Sequence, residues 1–278
     1  MSAALDPAEA LCLVPGWDAT DCLIEELKGG LTNRVYKIGR GGEAYVLRLD
    51  DEKTQVFGLH RPRELGILRA ASAAGLAPDI IYADAARGIL LSRYIDGRVW
   101  TTGDLARREN IEALAEVLRR IHALPLSGER FDPVAVAGGY LGKLESRPEL
   151  YAFGERCKAI VESAGEITVC CCCHNDVVAA NVVATPGLVL LDWEYACDND
   201  PMFDLASLIV YHELDAATAN VLLNAYAGGE ASELRERLAV QVRVYGAILW
   251  LWLATRQMLG ANPSQARRLE KLRRKLPD

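Results

Sequence analysis

Within HNDVVAAN (residues 174–181) a histidine, an asparagine and an aspartate stand together, and Asn181 follows Asp176 by five positions. Eleven residues after Asn181, Asp192 and Glu194 flank a tryptophan in DWEY (192–195). These residue types are what phosphoryl transfer from a metal-bound nucleotide requires. The transition state of that reaction is loose, so a protein mainly positions groups and neutralises charge. It needs backbone amides or a cation over the phosphates. It needs oxygen ligands for Mg²⁺, typically a carboxylate and a side-chain amide. It also needs a carboxylate to orient the attacking hydroxyl and take its proton. Asp176 suits the last task, and Asn181 and Asp192 suit the metal.

Four adjacent cysteines, Cys170 to Cys173, run directly into this stretch. Thiolate metal sites usually come as two separated pairs, because neighbouring side chains on a strand point to opposite faces. ITVCCCC continues a β-branched run and reads as a buried strand in which cysteine acts as a small hydrophobe. A metal or redox role for the run is the alternative.

The elements that must position these groups fall into two parts. Residues 23–50 read as strands, with alternating apolar positions in RVYKI and AYVLRL around the turn GRGGE. RPRELGILRAASAAGLAP reads as a helix with Leu65, Leu68 and Ala71 on one face and Gly75 as its stop. DIIYAD and GILLSRYIDG are two further strands. After Gly97 the period becomes helical, with Leu114, Leu118 and Ile121 in register. Residues 147–165 continue helical, then ITVCCCCHNDVVAANVVATPGLVLLDWEYA reads as strand, loop, strand, turn, strand. Helices are expected near 202–213, 215–227 and 231–258, before a basic tail, RRLEKLRRK, that reads as a solvated last helix.

The 278 residues are 51% apolar and 25% charged, the balance of a soluble globular protein. A net charge of −7 argues against general nucleic-acid binding and favours a cationic small molecule. No membrane span is expected, because the apolar run YGAILWLWLA meets Arg256 too soon. No export signal is read at the N-terminus, so the eight cysteines are expected as reduced thiols in a cytoplasmic protein. Oligomeric state is not readable from the sequence.

The order Asp, Asn at +5, then Asp on a later strand is the order kinases use in HRD-x4-N and DFG. HNDVVAAN and DWEYACDNDPMFDLA (192–206) resemble the choline/ethanolamine kinase and aminoglycoside phosphotransferase branch of the protein-kinase-like fold. Choline, thiamine and LicA-type bacterial kinases look most similar, and the resemblance runs through nearly the whole chain. It implies an α+β, two-lobed fold. Residues 1–96 would form an N-terminal antiparallel sheet with one helix. Residues 97–278 would form a mostly helical lobe carrying the catalytic strands, with Mg-ATP in the cleft.

The resemblance also implies roles. GGLTN (29–33) resembles the family's glycine-rich loop, with Gly29, Gly30, Thr32 and Asn33 over the phosphates. Arg48 stands for the phosphate-binding basic residue and Glu64 for its partner; two unrelated surface charges are the alternative. Arg93, Tyr94 and Ile95 resemble the hinge that meets adenine. Asp176 would be the catalytic carboxylate, and Asn181 and Asp192 the Mg²⁺ ligands. His174 and Asp204 would brace the loop. Glu194 would support the metal site or face the substrate cation. The family often carries Leu-x-Pro-Gly where this chain has VVAA (177–180), and Cys197 stands where many members have glycine.

A quaternary ammonium calls for aromatic faces and a carboxylate. WLWLATRQ resembles the tryptophan helix of choline kinases, and Trp250 takes the register of its first tryptophan, with Tyr195 and Tyr211 as further candidates. Packing of both tryptophans in an apolar helix is the alternative. The expected activity is ATP- and Mg²⁺-dependent phosphorylation of a small cationic alcohol, choline or ethanolamine first. Thiamine or an aminoglycoside is the alternative acceptor, and a non-catalytic nucleotide-binding regulator is the rival of another class.

Overall fold

The computed structural model describes residues 5–27, 33–51, 56–260 and 263–276. The expected loop residues Gly29, Gly30 and Thr32 lie outside the described residues. The chain divides into two compact units, one from residues 1–101 with 180–196 and one from 102–179 with 197–278.

The first unit opens with α1 (Pro7–Cys12), whose start is set by Asp6 and Glu9 in a reciprocal capping box. Strands β1 (Leu23–Leu27), β2 (Asn33–Arg40) and β3 (Glu43–Asp50) follow, then α2 (Arg61–Ala73), β4 (Ile80–Asp84) and β5 (Ile89–Arg93). The five strands form one antiparallel sheet in the order β1-β2-β3-β5-β4. Strands β2 and β3 join through Gly41 and Gly42, both at positive φ (59° and 83°), which the tight hairpin demands and glycine supplies. Period-two alternation gives the sheet two uses. Tyr45, Leu47 and Leu49 of β3 pack with Tyr36, Ile38, Ile89, Leu91 and the α1 residues Ala10 and Leu11 into a core. The intervening Val46 and Arg48 face a cavity instead.

A second small sheet completes this unit. β6 (Arg98–Val99) pairs with β8 (Val182–Ala184), which pairs with β9 (Leu188–Leu190); β7 (Cys171–Cys173) belongs to the other unit. Gly97 just before β6 has no room for a side chain, since a Cβ there would lie 2.5 Å from the Ala184 carbonyl oxygen.

The second unit holds α3 (Arg108–His122), α4 (Pro133–Gly142), α5 (Pro148–Glu162), β7 and β10 (Cys197–Asn199) as an antiparallel pair, α6 (Pro201–His212), α7 (Ala216–Ala227), α8 (Leu234–Leu259) and α9 (Pro263–Lys275). In α3, Ile111, Leu114, Leu118 and Ile121 are buried at helical spacing. Asp200 caps α6 by accepting from Met202 N at 2.8 Å, and Pro201 starts it. α8 is long and apolar enough to cross a membrane by composition, but 72% of its apolar window is buried in the protein, as in a core helix. The basic tail is less solvated than expected: α9 buries Leu269 and Leu272.

Candidate active site

The first unit gathers its polar groups around Arg61, the residue at the start of α2. Arg48, projecting from the cavity face of β3, forms a two-pronged ion pair with Glu64, one turn into α2; the longer prong, Nη2 to Oε2, is 2.9 Å. Arg61 donates from Nη1 to the same Glu64 carboxylate at 2.7 Å and pairs through Nη2 with Asp50 at 2.8 Å. Arg61 also donates to Asn33 Oδ1 at 2.6 Å and approaches Glu194 at 3.4 Å. Asn33 Nδ2 donates to Glu194 Oε2 at 2.7 Å, which closes the ring. Arg48 and Glu64 are therefore one ion pair, and the reading of them as unrelated surface charges is set aside. Burial pulls the Glu64 carboxyl up, but the Arg48 and Arg61 guanidiniums outweigh it and hold the group below its ordinary range.

Asn181 and Asp192, eleven residues apart, come together because a hairpin lies between them. β8 and β9 pair Val182 with Leu190, and Leu191 N donates to Asn181 O at 2.8 Å, one step further along. Trp193 is 2% exposed and donates its indole N–H to Leu190 O at 3.0 Å. That anchor explains why carboxylates flank a tryptophan: the ring is fixed in the interior and its neighbours take different environments. Glu194 is buried in the Arg61 network, whereas Asp192 is exposed at φ 61°. Aspartate tolerates that left-handed backbone better than most residues. Glu194 does not present an open face to a substrate cation; its carboxylate is taken by Asn33 and Arg61.

Asn33, Arg48, Glu64, Arg93, Tyr94, Ile95, Asn181 and Asp192 line one cavity of about 430 Å³, a size that holds a small ligand or cofactor. All of its walls come from the first unit. Arg48 Nε is buried there with no hydrogen-bond partner among the described residues, a donor left for a ligand. At the hinge, Arg93 N donates to Asp79 O (2.8 Å) and Tyr94 N to Ala44 O (3.0 Å), so these amides are spent on the fold. The Arg93 side chain pairs with Glu43 at 3.0 Å, and Lys37 Nζ sits 4.3 Å over the Tyr94 ring.

In the second unit one buried carboxylate organises the loop that carries Asp176. Asp204, 0% exposed on α6, accepts from His174 N at 3.0 Å, Asn175 N at 2.7 Å and His122 Nε2 at 3.0 Å. Asn175 sits at φ 62°, held by Asn199 Nδ2 at 2.7 Å and by its own Nδ2 donating to Cys197 Sγ at 3.1 Å. His174 is fully buried, and its Nδ1 accepts from Asp176 N at 3.3 Å. Ser207 Oγ donates to Val177 O at 3.1 Å. His212 Nε2 accepts from Ala179 N at 2.9 Å, while its Nδ1 contacts Thr102 Oγ1 at 2.9 Å. Three α6 side chains thus hold the backbone from His174 to Ala179, and Asp176 stays partly exposed. Burial, then the nearby Arg268, lowers the His212 pKa to about 4, so the ring is a neutral acceptor near pH 7.

The remaining substrate candidates are dispersed. Tyr195 is partly exposed in the first unit. Tyr211 lies in the second, with the Arg268 guanidinium 3.7 Å over its ring. Trp250 is 0% exposed and packs on Phe153 at 4.6 Å. Its expected place in a substrate pocket gives way to core packing, because its neighbours along α8, Ala247, Leu251, Leu253 and Ala254, are buried with it. Arg61, His122, Ser207 and His212 were not singled out from sequence; each is one polar residue inside a helical pattern, and only the fold reveals its partner.

Residues 23–239 match the phosphotransferase enzyme family. Protein LicA of Haemophilus influenzae is 26% identical over 252 residues, spanning 84% of this chain and 74% of the relative. Among solved structures, choline kinase LicA from Streptococcus pneumoniae superposes with a TM-score of 0.77 at 25% identity, over 91% of this chain and 92% of that one. A choline/ethanolamine kinase family protein from Mesorhizobium loti gives 0.67 at 25% identity, over 95% and 97%. The α+β architecture, an antiparallel sheet first and a helical part after it, is kinase-like.

Proposed function

Because the chain belongs to the phosphotransferase enzyme family, we propose that it transfers the γ-phosphoryl group of ATP to the hydroxyl of a small amino alcohol, choline or ethanolamine first. One observation carries the reading. The Arg48–Glu64 pair, Asn181, Asp192 and the hinge residue Ile95, far apart in sequence, line a single cavity. Arg48 would meet the phosphates, and the backbone of Ile95, rather than the spent amides of Arg93 and Tyr94, would meet adenine. The side-chain amide of Asn181 and the exposed carboxylate of Asp192 are the hard oxygen donors that Mg²⁺ takes. Bound there, the ion would neutralise charge on the phosphates. Asp176, on a loop held at both ends by α6, would orient the acceptor hydroxyl and take its proton. The choline and ethanolamine kinases among the similar structures support the acceptor class.

A second reading of the acceptor has its own support. The face of Tyr211 that would receive a quaternary ammonium is covered by the protein's own Arg268. An acceptor bearing an anionic group would pair with that guanidinium instead.

The experiment is ADP release from Mg-ATP with choline, ethanolamine, thiamine and an anionic hydroxy acid in parallel, with Asp176→Asn as the blank. Turnover with choline or ethanolamine, falling by about 10²- to 10⁴-fold in the variant, is expected. Turnover with the hydroxy acid alone reassigns the acceptor. Mg-nucleotide binding without turnover on any alcohol favours a regulatory protein and overturns the proposal.

A further inference from the structure

The cysteine run holds a pair that alternation along a strand brings together. Neighbours on a strand face opposite ways, but residues two apart share a face. In β7, Cys171 and Cys173 point to the same side, and their sulfurs are 3.6 Å apart. Two thiolates on a tetrahedral Zn²⁺ with bonds of about 2.3 Å stand about 3.8 Å from each other. The two sulfurs are therefore spaced for one such ion before any movement.

His122, the last residue of α3, completes the group: one of its ring nitrogens and both sulfurs lie within 4.8 Å of one another. The two nitrogens of that ring are differently engaged. Nε2 faces the Asp204 carboxylate at 3.0 Å and carries the proton, since a carboxylate only accepts. Nδ1 therefore presents its lone pair, and the Tyr226 hydroxyl donates to it at 2.8 Å. Burial pushes the Tyr226 phenol up, so its hydroxyl keeps the proton that it donates to Nδ1. A histidine whose far nitrogen donates to a carboxylate is the arrangement that orients metal-bound imidazoles. Cys171 and Tyr226 are partly exposed and give a cation its way in.

We propose that Cys171, Cys173 and His122 Nδ1 form a binding site for a thiophilic divalent cation of the Zn²⁺ class, with the Tyr226 hydroxyl as a plug that swings aside. Each thiol releases its proton to solvent as its sulfur binds, and the imidazole stays neutral. The site is separate from the oxygen donors Asn181 and Asp192. It reaches the loop of Asp176 along the chain, since Cys173 directly precedes His174, and through His122 and Asp204, whose carboxylate holds the amides of His174 and Asn175. Occupancy would fix His122, and through it the brace of that loop.

The test is titration of the full, reduced, chelator-treated protein with Co²⁺, followed by displacement with Zn²⁺. Expected is a near-ultraviolet thiolate-to-cobalt band, with visible bands of a tetrahedral ion, saturating at one equivalent and abolished by Zn²⁺. Cys171→Ser and Cys173→Ser lose the band. Cys172→Ser, whose side chain faces the other way, keeps it. Tyr226→Phe keeps it and binds several-fold more tightly. Zn²⁺ raises the melting temperature of the unsubstituted protein but not of Cys171→Ser. If Cys173→Ser does not fold, the partly exposed Cys171 carries the comparison, with circular dichroism as the folding control. Absence of a band at one equivalent, or its equal loss in Cys172→Ser, overturns the proposal.

Discussion

The cavity of the first unit and the loop of the second are both rich in buried polar groups, yet they are held by different physics. The first is a ring of full charges. Arg48 and Arg61 face Glu64, Asp50 and Glu194, and every pair depends on its neighbour being ionised. The second is two backbone amides and the His122 ring around one carboxylate, Asp204, with the neutral His212 at its far end. A charged ring leaves cationic surface for a phosphate to share. A braced backbone fixes the position of Asp176 without spending that residue's own carboxylate. Damage to the ring should therefore appear in nucleotide binding, and damage to the brace in turnover.

Arg61→Met tests the first half and should have the largest effect on stability. It strips three carboxylates of a common partner inside the protein, and breaking a buried pair from one side costs about 3–5 kcal/mol. Chemical denaturation should show that loss, and nucleotide affinity should fall with it. Asp204→Asn tests the second half. Three bonds to a carboxylate become bonds to an amide with one acceptor oxygen, a cost of about 2–3 kcal/mol. Turnover should fall at least tenfold while nucleotide affinity stays within twofold, on the scale of about 1.4 kcal/mol per decade. Equal losses in both quantities would show that the two regions do not work separately.

The two regions were also unequally legible in the sequence. The hairpin of β2 and β3, the alternation along β3 and the helices α6 to α8 follow from local pattern, and the structure has them. The pairing of Arg48 with Glu64 was implied by resemblance and is present. Arg61 was hidden because a charged residue at a helix start reads as solvated; here the buried face of α2 begins with Arg61 and Glu64. α1 and α4 were not read, although Asp6-Pro7 and Asp132-Pro133 mark their starts, because one is short and the other carries Gly138 and Gly139. Opposite faces for neighbouring cysteines was sound reasoning that stopped one residue early: it separates Cys171 from Cys172 but joins Cys171 to Cys173.

His212 sharpens the comparison at smaller cost. His212→Leu leaves the Ala179 amide without its acceptor, worth about 1 kcal/mol. His212→Gln, whose amide oxygen reaches where Nε2 stands, should recover most of the turnover. The pH dependence has a fixed sign. The folded-state pKa of about 4 lies below the ordinary 6.5, so the unfolded chain binds the extra proton first. This contribution to stability is complete above pH 6.5 and is lost as the pH falls toward 4. Melting curves across that window should drop more steeply for the unsubstituted protein than for His212→Gln. The Glu64 carboxyl, also lowered, adds a loss of the same sign at more acid pH.

Trp250→Phe should do least. The indole is fully buried against Phe153, and its Nε1 has no hydrogen-bond partner among the described residues. Phenylalanine gives up some packing but also removes an unpaired buried donor, and the two changes oppose each other. Net destabilisation should stay under about 1.5 kcal/mol, with KM for the acceptor unchanged. A KM raised tenfold or more at native stability would mean that α8 opens to expose the ring when substrate binds. Trp250 would then belong to the acceptor pocket after all, and the second unit would carry its recognition inside its core.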